Sequence, residues 1–288
     1  MDPSFSLHES DPEPICIAKA PWTAIADVFI FAFWITKSQA DALPSLVYSP
    51  LEAASEFSSP SVSRPVGGLG YIWLVQYKDT PVGPYHEMII MPGKFEWSRQ
   101  GHTGKPERHR NLKTTRVYVS QKHSCYNGRL NWNVPKHLAK FDWETSPDGS
   151  RTVRVHPHDT TSTGDSRESS SDPRPFFQAT IKKAAYTPSF PASSHWLQYL
   201  GMDLRCVNPP LPAGNGSQGE LPGTDRWCSW PPSIVGSKAD IVWFDVGQGE
   251  KEGDAKAGDG NFWPGLNRWR LGVGMENARL YFEPPVTW

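Results

Sequence analysis

The chain has 288 residues, enough to bury a sizeable core in one large domain or two small ones, and its 29 basic and 30 acidic side chains nearly cancel. A formal charge of -1 gives no field that would gather nucleic acid or an anionic membrane, so neither is expected as a partner. Thirteen tryptophans and 28 prolines predict a loop-rich fold with large aromatic surfaces to place in a core or a pocket wall.

Residues 1–18 are acidic and proline-bearing, lack the basic start and apolar run of a secretory signal, and read as flexible. Cys16, Cys125, Cys206 and Cys228 are widely spaced and form no CxxC pair, which argues against a zinc site or disulfide framework. Free thiols in a reducing compartment, the cytoplasm, fit this usage best. The most apolar window, Ala24 to Ile35, contains Asp27 and is shorter than the ~20 residues that cross a bilayer, so it predicts a buried strand. Strand-like runs recur at 27–35, 71–77, 85–91, 114–120, 140–144, 152–157, 176–181, 195–200, 240–246 and 278–283. They are rich in β-branched and aromatic residues and are mostly bounded by Gly, Pro, Asp or Ser. Helical signal is confined to 38–46, to 49–57 with Ser49 as N-cap and Pro50 in the first turn, and to PKHLAKF at 135–141. The pattern predicts a single, mainly antiparallel β domain over 1–288 with few short helices. Loop insertions are expected near 159–175, 208–225 and 247–261, where Ser, Gly or Pro replace apolar residues.

Two charged residues stand out against this background. Glu87 lies inside the apolar strand YHEMIIM, where a carboxyl is costly unless it is paired, protonated or used. Lys136 sits behind a proline in the polar and aromatic run YNGRLNWNVPKHLAKF. A lysine amine, with an ordinary pKa of about 10.4, is a nucleophile only after losing its proton, which burial or a nearby cation promotes. Trp132, Val134 and Leu138 supply apolar neighbours, while His137, adjacent on a strand, should face the opposite way. A free amine condenses with a ketone, and the resulting iminium accepts electrons from the neighbouring carbon. Glu87 is the candidate acid and base for that step, and Tyr85, two residues away on the same strand face, is placed to hold the carboxyl or the substrate. His86 should point away. The same residues admit a structural reading, in which Lys136 is a solvated turn residue and Glu87 pairs with Arg116 or Arg129. HPHD at 156–159 offers two histidines and an acid, short of three well-placed ligands, so no metal and no other cofactor is expected. VGGLG at 66–70 and GQGEKEG at 247–253 lack the context of phosphate-binding loops and read as turns.

The segments YKDTPVGPYHEMIIMPG (77–93), RVYVS (116–120) and NGRLNWNVPKHLAKF (127–141) resemble the acetoacetate decarboxylase-like superfamily, over about residues 20–145 and in the style of its fungal members. The resemblance implies antiparallel strands forming a cone or barrel around a hydrophobic cavity. It also implies Schiff-base chemistry at the lysine of the PK pair, here Lys136, with Glu87 as the cavity carboxyl. Activation of that lysine by desolvation or a cationic neighbour is the known case of acetoacetate decarboxylase itself. Three positions depart from the pattern: His137 replaces a second lysine, Leu130 replaces a glutamate, and WTAIADVFIFAFWITK carries no arginine. A larger, less charged substrate than a small keto acid suits such a cavity.

The sequence thus predicts a cofactor-independent lyase, associated with secondary metabolism, acting on a carbonyl or β-keto compound by decarboxylation or aldol/dehydration. Lys136 and Glu87 would be catalytic, and Tyr85, Arg129, Trp132, His137, Arg116 and Tyr126 would surround a small-molecule substrate. The alternatives are a cyclase or isomerase that uses the aromatic cavity without a covalent intermediate, and a non-catalytic carrier of an apolar ligand. Family members often assemble into oligomers, which implies a possible homo-oligomer here.

Overall fold

A computed structural model describes residues 14–43, 47–101, 104–157, 175–199, 203–247 and 268–288, without the side chains of Phe57, Leu197 and Gln198. The expectations for residues 1–13, for 159–174 together with His158, and for 248–261 fall outside the described residues. The elements in chain order are β1 (Trp22–Ile35), α1 (Lys37–Asp41), α2 (Pro50–Ala53), β2 (Ser63–Asp79), β3 (Tyr85–Met91), β4 (Lys94–Gln100), β5 (Pro106–Leu112) and β6 (Arg116–Val119). They continue with α3 (Lys122–Trp132), β7 (Lys136–Thr145), β8 (Arg151–Pro157), β9 (Phe177–Lys183), β10 (Phe190–Ser193) and α4 (Ser194–Tyr199). The last are β11 (Cys206–Asn208), β12 (Cys228–Trp230), β13 (Ser233–Asp245), β14 (Trp269–Phe282) and β15 (Val286–Thr287).

Among the described residues, nine strands close into a barrel in the order β1-β14-β13-β9-β8-β7-β6-β3-β2, with β2 pairing back onto β1. Every pairing in the barrel is antiparallel except β6 with β7. A parallel pair needs a crossover, and here the crossover is α3, which is thereby laid beside the first residues of β7. The period of two along β1 sends Phe29, Phe31, Phe33 and Ile35 inward, where Ile72, Leu74, Met88, Ile90, Phe141 and Phe244 meet them. Phe29 reaches Trp143 on the far wall, with ring centroids 6.0 Å apart, so side chains fill the interior. Beyond Phe29, Asp27 accepts hydrogen bonds from Lys78 at 2.6 Å, Arg151 at 2.9 Å and the Asn277 amide at 2.9 Å. Burial raises the Asp27 pKa, but these partners outweigh it and hold the carboxyl below its usual range.

The opposite face of the same strands carries a second core. Its members include Trp22, Ala24, Trp73, Val75, Tyr77 and Tyr85 of the barrel wall, Cys125 and Trp132 of α3, Cys206 of β11 and Trp230 of β12. A smaller sheet of β4, β5, β11, β12 and β15 is attached through residues 63–67 of β2.

Several local expectations are corrected. The described part of the run at 195–200, residues 195–199, is helical in α4, and PKHLAKF opens β7 instead of a helix. Lys122–Trp132 is a helix that no apolar stripe announces, because its buried residues include Lys122, Ser124, Asn127 and Arg129. Ser49 and Pro50 stand at the N-cap position and first turn of α2, but the Ser49 hydroxyl makes no capping hydrogen bond. The segment 208–225 packs against α3: Leu221 joins the outer core, and the Pro212 and Pro222 carbonyls accept from Arg129. The four cysteines are free thiols. Among the described residues no helix is long and apolar enough to cross a membrane.

Candidate active site

Alternation along β3 puts Tyr85, Glu87, Ile89 and Met91 on the outer face and turns His86 inward against Phe141 and Trp143. Register through β6, with Glu87 opposite Val119 and Val117 beside Lys136, brings the first residue of β7 close to the carboxyl. The Lys136 Nζ donates to Glu87 Oε2 at 3.2 Å and to Ser124 Oγ at 2.9 Å, and lies 5.1 Å from the centre of the Tyr85 ring. Lys136 is 5% exposed and Glu87 3%. The lysine stem crosses α3 at Gly128, where a Cβ would stand 2.6 Å from both Cδ and Cε. This close approach gives the glycine of the GR pair its physical reason: a side chain there would displace the amine.

Tyr77 and Tyr85 face one another across the β2–β3 hairpin with stacked rings 4.4 Å apart. Burial, reinforced by the Glu87 charge, pushes both phenols well above their usual pKa, so both stay protonated beside Glu87. Trp132 closes one side, 5.3 Å from Trp22 and 5.6 Å from Phe282 between ring centroids, and is fixed by donating to the Glu283 carbonyl at 2.8 Å. These walls enclose about 40 Å³ beside the amine.

One residue along β7 the surroundings change. His137 Nε2 lies 2.7 Å from Glu52 Oε2, and Arg129 Nη1 donates to Glu52 Oε1 at 2.8 Å. The guanidinium is fully buried and also donates to the carbonyls of Pro222, Pro212 and Lys136 at 3.0, 2.7 and 3.2 Å. Burial pushes the Glu52 pKa up, but His137 and Arg129 outweigh it and hold the group at about 2. Arg116 lies over the Tyr118 ring at 5.1 Å, and Tyr126 is half-buried on α3. The structure therefore brings Lys136, Glu87, Tyr85 and Trp132 together, while Arg129, His137, Arg116 and Tyr126 do not line this pocket. Glu87 meets Lys136, where the sequence suggested an arginine as its structural partner.

The pocket also contains residues the sequence reading missed. Ser124 was hidden in the unrecognised helix, and Trp73, Trp230 and Phe282 come from strands distant in sequence. Tyr77 was within reach, because YKDTPVGPY reads as a hairpin whose register pairs it with Tyr85. A second buried lysine also escaped notice. Lys113 is 2% exposed, lies 5.2 and 5.0 Å from the Tyr48 and Phe95 ring centres, and is lowered by burial to about 7. Its cleft of about 20 Å³ is narrower, and the carboxylate lining it, Glu52, already serves Arg129 and His137.

The sequence matches no protein-family profile and no curated protein. Solved structures do resemble it. Acetoacetate decarboxylase from Legionella pneumophila subsp. pneumophila str. Philadelphia 1 superposes with a TM-score of 0.55 at 12% identity, covering 97% of this chain and 92% of that one. An acetoacetate decarboxylase-like enzyme from Sphingomonas wittichii RW1 gives 0.52 at 10% identity and 98% coverage of both chains. A further acetoacetate decarboxylase gives 0.52 at 12% identity, covering 94% and 90%. The chain has the acetoacetate decarboxylase-like fold.

Proposed function

We propose that the chain is an enzyme acting on a carbonyl or β-keto compound through an imine at Lys136, with Glu87 as its acid and base. The observation that carries this reading is the 3.2 Å Lys136–Glu87 contact buried in an aromatic pocket. Transfer of one ammonium proton along that contact frees the lone pair and leaves Glu87 as a carboxylic acid. The amine adds to the carbonyl carbon, Glu87 protonates the carbinolamine hydroxyl, and water leaves to give the iminium. With a β-keto acid the bond between the α-carbon and the carboxylate then breaks, its electron pair moving into the iminium as carbon dioxide leaves; with a β-hydroxy ketone the bond between the α-carbon and the carbinol carbon breaks, Glu87 taking the hydroxyl proton as an aldehyde leaves. Protonation and hydrolysis of the enamine restore the lysine. Tyr77 and Tyr85, held neutral, keep the carboxylate oriented between these transfers. The shared fold with an acetoacetate decarboxylase supports the same assignment of roles.

A second reading keeps the pocket and omits the imine: a cyclase or isomerase in which Lys136, Glu87 and Tyr85 stabilise charge on an uncharged substrate. It is favoured by the lining, in which no arginine occurs among the described residues. Lys136→Met separates the two. Under the imine reading, turnover across a panel of β-keto acids and β-hydroxy ketones is abolished. Under the second, the wild type leaves that panel unturned, and its cyclisation or isomerisation of an uncharged substrate falls only about 10- to 100-fold in the variant, as loss of one charged hydrogen bond would give. Full turnover in the variant would exclude both.

A further inference from the structure

On the same outer wall, next to the Lys136 pocket, lies a larger cavity of about 410 Å³. Its floor is formed by barrel strands through Ile30, Ala32, Val273 and Ile234, and its rim by Phe190 and Ala192 of β10. None of the described residues lining it is charged. Three residues, Trp73, Met91 and Pro232, line both spaces and form the partition between them.

The sizes constrain what reacts at Lys136. The 40 Å³ beside the amine equals the room of only a few water molecules, at roughly 10–15 Å³ each, and so accepts a carbonyl and its nearest substituents. A larger substrate can extend past the wall of Trp73, Met91 and Pro232 that the two spaces share. The neighbouring 410 Å³ falls within the ~300–1,000 Å³ of pockets that take whole organic ligands. The partition carries an independent sign of a ligand. Trp73 is 8% exposed, yet its indole Nε1–H finds no acceptor among the described residues. The same holds for Trp230, 7% exposed, on the amine side. Buried donors without acceptors are uncommon in folded proteins, and both of these tryptophans line the amine pocket.

We infer that the substrate is a carbonyl compound bearing a large, uncharged apolar substituent. That substituent occupies the 410 Å³ chamber while the oxygen functions at the reacting end meet the indole N–H groups of Trp73 and Trp230. The inference deepens the imine reading and rests on it only for the reacting end.

The test is calorimetric titration of methyl ketones from butanone to tridecanone into the wild type, Lys136→Met, Ala192→Trp and Trp73→Phe, with borohydride trapping of each ketone run alongside. Affinity should rise about fourfold per added methylene, from the ~0.8 kcal/mol gained per buried CH₂, in wild type and Lys136→Met alike. Ala192→Trp should cut the gain for long chains only. Trp73→Phe should weaken all lengths equally, by about 2- to 10-fold, the worth of one hydrogen bond. Affinity independent of chain length, or a length dependence that Ala192→Trp leaves intact, would overturn the chamber whatever the trapping shows. Length dependence without trapping would keep the chamber and remove the imine. Should Ala192→Trp fail to fold, the Trp73→Phe series and the length dependence decide.

Discussion

Lys136 and His137 are joined by one peptide bond, and each meets a buried glutamate, but the two meetings differ in kind. Glu52 has a partner at each oxygen, and Arg129 divides its remaining donors among three backbone carbonyls. Such a saturated network offers nothing to a ligand and acts as a rivet between α2, α3, β7 and the 208–225 segment. Glu87 faces one amine and two neutral phenols across a space with room for reacting atoms. Burying a charge is expensive in both places, so what separates structure from chemistry is whether the surrounding geometry leaves the pair accessible to a third party.

Glu87→Gln should produce the largest divergence: turnover lower by about 10²–10⁴, the usual worth of a positioned acid and base, with the circular dichroism of the folded protein retained. Arg129→Ala should do the reverse. It leaves Glu52 half-neutralised, so denaturant unfolding should show a loss of roughly 3–5 kcal/mol, while turnover per folded molecule changes far less. A swap of these two outcomes would mean the roles of the two glutamates are misassigned.

The same contrast has a pH signature. Glu52 is held at about 2 against an ordinary 4.5, so its ionised form stabilises the folded state by about 3 kcal/mol. That contribution is fully present above pH 4.5 and is lost as pH falls towards 2. In Arg129→Ala the acid-side loss should begin at higher pH, measured as the unfolding midpoint across an acid titration.

The subtlest variant is Gly128→Ala. Alanine is favoured in a helix by about 1 kcal/mol, but its methyl would stand 2.6 Å from the lysine stem. Stability should therefore hold while turnover falls by about 10², the cost of displacing a reacting group by an ångström. Equal loss of both would show that Gly128 serves packing alone.

The barrel strands were legible because runs rich in β-branched and aromatic residues, mostly bounded by Gly, Pro, Asp or Ser, coincide with β1, β3, β8 and β9. Helix α3 was not, because its buried residues include Lys122, Ser124, Asn127 and Arg129, the last three partnered by Lys136, by Cys16 and Ala18, and by Glu52, and they leave no apolar stripe. Glu87 and Lys136 were legible as charges in apolar company. Their compartment was not: alternation says that Tyr85 and Glu87 share a face, but only barrel closure decides whether that face is inside. The Lys136 pocket is built from the core that includes α3 and β12, on the strand face opposite the Phe29–Phe31 core, and neither residue's own segment announces that. Glu52, the partner of Arg129, lies in the helical signal at 49–57 with nothing in the sequence to single it out.

The central claim is that the Lys136 amine forms the covalent bond to substrate. Wild-type protein incubated with a long-chain methyl ketone and sodium borohydride, then digested and mapped by mass spectrometry, reads this directly. The account predicts one reduced adduct per chain, on the peptide containing Lys136, absent in Lys136→Met. An adduct confined to Lys113, the buried lysine held at about 7, or no adduct at any lysine, would contradict it.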